Sequence, residues 1–287
     1  MTLALQLIAN GLVVGGLLCL VALGLALIFG VMRVVNFAHG EFVTLGAFAT
    51  YLLVANLHVS PLLGIPLAFA LGAVAGAVVQ RAIIARTTGR PELDVLMTTY
   101  ALSIVALGAF SQAFGGDFRS YAEGPTGTLT LSGVTIGWRS LTVLLVCLAL
   151  GGATVLIMRR ARIGIALRAL AQNRDAAASC GIDVQRSELF AFSLSVGLAA
   201  AAGSLVSLIG TVTPYVGHEW VLDAFVVVVL GGMGSITGAM IAAILLGLVH
   251  SVASFVLDDS WAKIVAYLLL YAVLLVRPQG LLGRADG

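Results

Sequence analysis

Asn36, His39 and Glu41 stand within six residues of one another and form the only polar cluster between the first two apolar runs. An amide, an imidazole and a carboxylate so close together could relay a proton or hold a polar solute, and an ionisable group at membrane depth marks a functional site by default. They could equally do a local task and cap the helix that follows, with Glu41 well placed near its positive end. A second unusual run is Gly231-Gly232-Met233-Gly234-Ser235. It reads either as a hinge for close packing or as unwound backbone beside a cavity, where the end dipoles of a broken helix can meet a charged solute.

Other reactive combinations are missing. The one lysine, Lys263, follows no glycine-rich run, so the chain has no G-x-x-x-x-G-K-[ST] loop to hold a nucleotide. His39, His58, His218 and His250 fall in separate segments, and Cys19, Cys147 and Cys180 are far apart without C-x-x-C spacing. The cysteines read as small apolar fillers. Neither a bound metal nor catalysis by this chain is expected.

These residues sit in a chain built for lipid. Of 287 residues 60% are hydrophobic and 10% charged, against roughly 25% charged in a soluble domain, and the mean hydropathy is +1.10. Without water to solvate the backbone, each crossing segment must satisfy its own hydrogen bonds as a helix. The 34 glycines favour close helix packing, because small residues let backbones approach where lipid gives no hydrophobic drive. A net charge of +2 with arginines gathered in a few loops argues against a nucleic-acid partner.

Spans of about 20 residues are predicted near 3–31, 62–84, 93–115, 140–158, 189–209 and 236–257, with shorter runs at 42–57, 224–230 and 264–276. The expectation is an all-α, single-domain bundle over 1–287 of about eight to nine transmembrane segments, one or two of them broken or re-entrant. The N-terminal run carries no Lys or Arg before Arg33 and exceeds a signal-peptide core, so it reads as a retained span. Arginines cluster at 81–90, 159–186 and in the tail with Arg277 and Arg284, and short loops rich in them stay cytoplasmic. Segments 116–137, 218–223 and Asp258-Asp259 then fall outside. From Asp223 to Leu257 there are too few residues for two full crossings, so a broken helix is predicted there.

The cytoplasmic stretch 159–186 is not polar disorder. Ile163, Ala166, Leu167 and Leu170 recur at helical spacing among arginines, Gly181 suits the end of a second short helix and Asp183 the cap of the next. Such a loop could lie on anionic lipid or present a surface to a protein.

Asp175-Ala176-Ala177, with Gly181 after three more residues, resembles the E-A-A-x-x-x-G coupling loop of ABC import permeases, with Asp175 in place of the usual Glu and no downstream I-x-L-P segment. Together with Gly30-Val31-Met32-Arg33-Val34-Val35-Asn36-Phe37-Ala38-His39-Gly40-Glu41-Phe42, Leu230-Gly231-Gly232-Met233-Gly234-Ser235 and Arg277-Pro278-Gln279-Gly280-Leu281, it occurs in the order found in permeases of the LivH type. The similarity runs over nearly the whole chain. It implies a multi-pass permease of a bacterial inner membrane that imports leucine, isoleucine and valine. A second homologous permease, two ATP-binding subunits and a periplasmic solute-binding protein are its implied partners, and ATP is used by those subunits rather than bound here.

By the same resemblance Arg168, Arg174, Asp175, Ala176, Ala177 and Gly181 couple to the ATPase. Asn36, His39, Glu41, Gly231, Gly232, Gly234 and Ser235 are expected along the pathway or its gate. Related permeases handle urea or short amides, which stays open as a substrate reading. An ATP-independent secondary transporter is disfavoured, because apart from Glu41 and Asp223 the spans hold few acids for an ion relay.

Overall fold

The computed structural model describes residues 2–87, 90–131 and 133–283. Arg284, counted above among the tail arginines, lies outside them. Among the described residues, eight helices are long and apolar enough to cross a membrane. They are α1 (Thr2–Met32), α2 (His39–Leu57), α3 (Pro61–Thr87), α4 (Glu92–Phe114), α5 (Trp138–Arg160), α8 (Val184–Ile209), α10 (Ile236–Val256) and α11 (Asp259–Val276). Between them lie two short helices, α6 (Arg162–Gln172) and α7 (Arg174–Ser179), and the 16-residue α9 (Val216–Gly231). At about 24 Å, α9 is too short for a full crossing, which is the broken helix that the sequence predicts.

α1 and α8 form the centre, with 78% and 83% of their most apolar windows buried, whereas α4 and α11 are peripheral at 17% and 11%. Close packing depends on small residues. A Cβ at Gly247 of α10 would collide with the backbone of Gly11 and Gly15 in α1, and one at Gly203 of α8 with the Val43 carbonyl in α2. Where backbones come that near, polar side chains on neighbouring helices also meet: Thr50 Oγ1 donates to Ser204 Oγ at 2.7 Å and Ser195 Oγ to the Gly24 carbonyl at 2.7 Å.

α10 runs antiparallel to α1, with Ser251 bonded to the Leu7 carbonyl and Gly234 against Gly30. The turn after α9 therefore lies at the same end as Arg33, the end that also carries α6 and α7. At the opposite end, residues 116–137 are not a plain loop. Strands β1 (Thr128–Leu131) and β2 (Val134–Gly137) pair as an antiparallel hairpin, and Gln6 of α1 bonds to the backbone N–H and C=O of Thr135. Arg119 and Val212 exchange both backbone hydrogen bonds, at 3.0 and 2.7 Å. This end is thus tied across the fold.

The segment 218–223 forms the first turns of α9. There Gly217 and Gly40 meet backbone to backbone, and Thr44 Oγ1 accepts from Gly217 N at 3.1 Å.

Candidate functional site

The loop 159–186 is folded throughout. On α6, Leu167 and Leu170 are buried, and Leu167 packs with Leu27, Met158 and Ala191 of α1, α5 and α8. Its apolar stripe is consumed by the protein itself rather than by lipid. Gly164 sits against the carbonyls of Ile157 and Met158, and Arg168 donates to the Met158 carbonyl, fixing α6 to the end of α5. Asn173 caps α7 by accepting from Ala176 N at 2.9 Å. The helix then closes with Gly181 N on the Ala178 carbonyl and Ile182 N on the Ala177 carbonyl, the Schellman pattern that puts a left-handed residue after the cap. Gly181 supplies it at φ +83°. Asp183 next accepts from Arg186 N at 3.0 Å and starts α8.

The six residues assigned to coupling divide by direction. Asp175, Ala176 and Gly181 are exposed on the outer side of α7, and Ala177 is buried beneath them. Arg174 turns back to Glu188 in α8, with Nη1 to Oε1 at 2.6 Å, and Arg168 turns back to α5. The two arginines are internal braces, while the acid and the small residues form the presented face. Glu188 was not visible as a functional residue in the sequence, because a lone glutamate near a helix start reads as solvated.

Asn36, His39 and Glu41 are all buried, at 1%, 0% and 4% exposure. α1 ends at Arg33, whose φ is +54°, and residues 33–38 turn the chain into the bundle. The three side chains then diverge. Asn36 Oδ1 accepts from Ala38 N at 3.1 Å, His39 Nε2 lies 3.2 Å from the Val21 carbonyl of α1 and so donates to it, and Glu41 Oε1 accepts from Ser103 Oγ of α4 at 3.0 Å. Ala38, without a side-chain bond, is the N-cap of α2, and Glu41 lies in its first turn, where the dipole favours a negative charge. Asn36 Nδ2, His39 Nδ1 and Glu41 Oε2 are buried without a protein partner. They share no hydrogen bond with one another: His39 joins α2 to α1 and Glu41 joins it to α4, while Asn36 bonds within the approach to α2.

The glycine turn and the tail motif meet. α9 ends in carbonyls that no helix residue can satisfy, and Leu281 N bonds to the Leu230 carbonyl at 2.8 Å and Leu282 N to that of Gly231 at 3.1 Å. Gly232, at φ +99°, has no room for a Cβ beside Gly283 and Gln279. Ser235 then caps α10 through Gly238 N at 3.1 Å. The interrupted helix is thus a closed corner on the Arg33 side of the bundle.

Residues 7–274 match the family model described as branched-chain amino acid transport system / permease component. The high-affinity branched-chain amino acid transport system permease protein BraD of Pseudomonas aeruginosa is 30% identical over 98% of this chain and 96% of its own length. The permease protein LivH of Escherichia coli K12 is 31% identical over the same shares. A probable branched-chain amino acid transport permease protein LivH of Methanocaldococcus jannaschii is 27% identical over 97% of this chain and 92% of its own. No solved structure matches the chain. Family model, near-full-length relatives and an eight-span helical bundle agree: the chain belongs to the permease components of branched-chain amino acid transport systems.

Proposed function

We propose that this multi-pass protein works as one permease half of an ABC importer in a bacterial inner membrane, paired with a second homologous permease and driven by two separate ATP-binding subunits. A periplasmic solute-binding protein delivers branched-chain amino acids to its outer face. The chain binds no cofactor of its own, and ATP is spent by its partners.

The observation that carries this reading is α7. It is a six-residue helix with a side-chain cap at one end and a glycine closure at the other, its Asp175–Gly181 face is exposed, and it is braced from behind by the Arg174–Glu188 pair. A lipid-lying segment needs an apolar outer face. α7 instead offers one acid and small residues, a shape that a groove on another protein can grip. Movement imposed on α7 passes through Glu188 to α8, one of the two central helices, and through Arg168 to α5. The Asn36–Glu41 segment and the 231–235 corner are the two breaks in helical structure on which α8 and α1 bear, and we assign them to gating.

Affinity purification of the tagged protein in mild detergent, with identification of what travels with it, tests the reading. Recovery of a second permease and ATP-binding subunits, with ATP-driven uptake of leucine after reconstitution with the binding protein, is expected. A homo-oligomer that moves leucine down an ion gradient without ATPase subunits would overturn it.

A further inference from the structure

α11 has 18 residues, about 27 Å, just enough to cross the ~30 Å hydrocarbon core. Asp259 at its start therefore lies near the outer boundary, Lys263 one turn inside it and Tyr267 two turns, about 12 Å. Each of these residues meets an ionisable group on a neighbouring helix. Asp259 Oδ1 is 3.5 Å from His250 Nε2 of α10, Lys263 Nζ donates to Glu219 Oε2 of α9 at 3.0 Å, and Tyr267 lies near Asp223, one turn further along α9. Three helices thus contribute to a continuous polar track that descends from the outer end toward mid-depth.

The track faces out of the protomer. The Glu219 side chain is 63% exposed and that of Lys263 37%, and Leu222 between Glu219 and Asp223 is 40% exposed. Ionised side chains at this depth cost several kcal/mol against lipid and are found facing protein or water instead. The exposed residues of α4 and α5 make the contrast: Ile104, Val105, Leu145, Leu148 and Leu156 are apolar and suit acyl chains. Nor do the charges of the track cancel. Glu219, Asp223 and Asp259 outnumber Lys263, so neither self-pairing nor lipid accounts for it.

We infer that the α9–α11 face bearing Glu219, Asp223 and Lys263 is the wall of the solute route, wetted by water and closed on its far side by the second permease subunit. This rests on the importer reading and deepens it by placing the route on the outer surface of the protomer instead of among Asn36, His39 and Glu41. The solute it suits is a zwitterion. The carboxylates of Asp223 and Glu219 can exchange water for an ammonium group, Lys263 can do so for a carboxylate, and Leu222 offers apolar contact to a side chain.

Thiol labelling in right-side-out vesicles that hold the whole complex tests this inference, using an impermeant cationic methanethiosulfonate. The native chain is the blank, since Cys19 and Cys147 are not exposed and Cys180 lies at the cytoplasmic end. Leu222→Cys should label at least tenfold faster than Val105→Cys, and Asp223→Asn should lower leucine uptake at least tenfold while ATPase subunits still co-purify. Equal labelling of the two cysteines, or native uptake by Asp223→Asn, would overturn the assignment. Labelling is read whether or not ATP drives uptake, so loss of the importer reading would appear separately, as wild-type complex without ATP-dependent transport.

Discussion

Arg174 and Glu188 form an ion pair at 2.6 Å in which the glutamate side chain is 5% exposed and the arginine 46%, and it joins the short helix α7 to the first turns of α8. A charge-assisted bond between a nearly buried acid and a half-exposed guanidinium is a rigid link. Removing the arginine strands a desolvated carboxylate, which costs about 1–3 kcal/mol locally. Arg174→Ala and Glu188→Ala should each leave the complex assembled and ATP hydrolysis running while uptake per ATP falls severalfold. The exchange Arg174→Glu with Glu188→Arg should recover part of the coupling. If both single variants transport normally, α7 does not signal through α8 by this pair.

Asp175 and Gly181 probe the presented face rather than the brace. Asp175→Lys changes an exposed charge and touches no internal bond of its side chain, so membrane levels should stay native while co-purifying ATPase drops. Gly181→Val acts through the backbone, because φ of +83° is strained for a β-branched residue by about 1–3 kcal/mol, and it should loosen the α7 closure with the same loss of uptake. Pull-down stoichiometry and leucine uptake measured together separate docking from folding.

The spans were legible in the sequence because lipid demands long apolar runs and little else produces them; α2, α8 and α10 fall within a few residues of where hydropathy puts them. The caps at Gly181 and Asp183 were legible from local chemistry as well. What was hidden depended on long-range contact. Glu188 matters because of a residue 14 positions earlier, and Glu219 because of Lys263, 44 positions later. The hairpin at 128–137 escaped because four-residue strands leave almost no periodicity to read. Asn36, His39 and Glu41 stand out in the sequence as polar, but spacing did not reveal that His39 turns to α1, Glu41 to α4 and Asn36 back to the Ala38 backbone.

The corner after α9 should discriminate sharply between its glycines. Gly232 combines φ of +99° with backbone of Gly283 and Gln279 where a Cβ would go, whereas at Gly234, φ +82°, the nearest atom would be 3.4 Å away. Gly234→Ala then carries mainly the backbone cost of about 1–2 kcal/mol, and Gly232→Val adds overpacking of another 1–3 kcal/mol or so and displaces the tail that satisfies Leu230 and Gly231. Thermal unfolding in detergent should show a clearly larger loss for Gly232→Val. Equal losses would mean that the tail contact does not support the corner.

His39 offers the last test, because its ring is clamped from two sides. Its Nε2 donates to the Val21 carbonyl, and a Cβ at Gly24 would lie 2.8 Å from its Cε1, so α1 is cut away to admit the imidazole. His39→Ala removes a fully buried ring and opens a cavity, a change of about 2–4 kcal/mol by analogy with large-to-small core substitutions. His39→Gln keeps a donor of similar reach and should retain more of the stability. If the residue only holds α2 to α1, uptake per folded molecule will be native in both variants. If it also gates the route, His39→Gln will fold and yet transport slowly, and the ratio of uptake to folded protein is the quantity that tells the two roles apart.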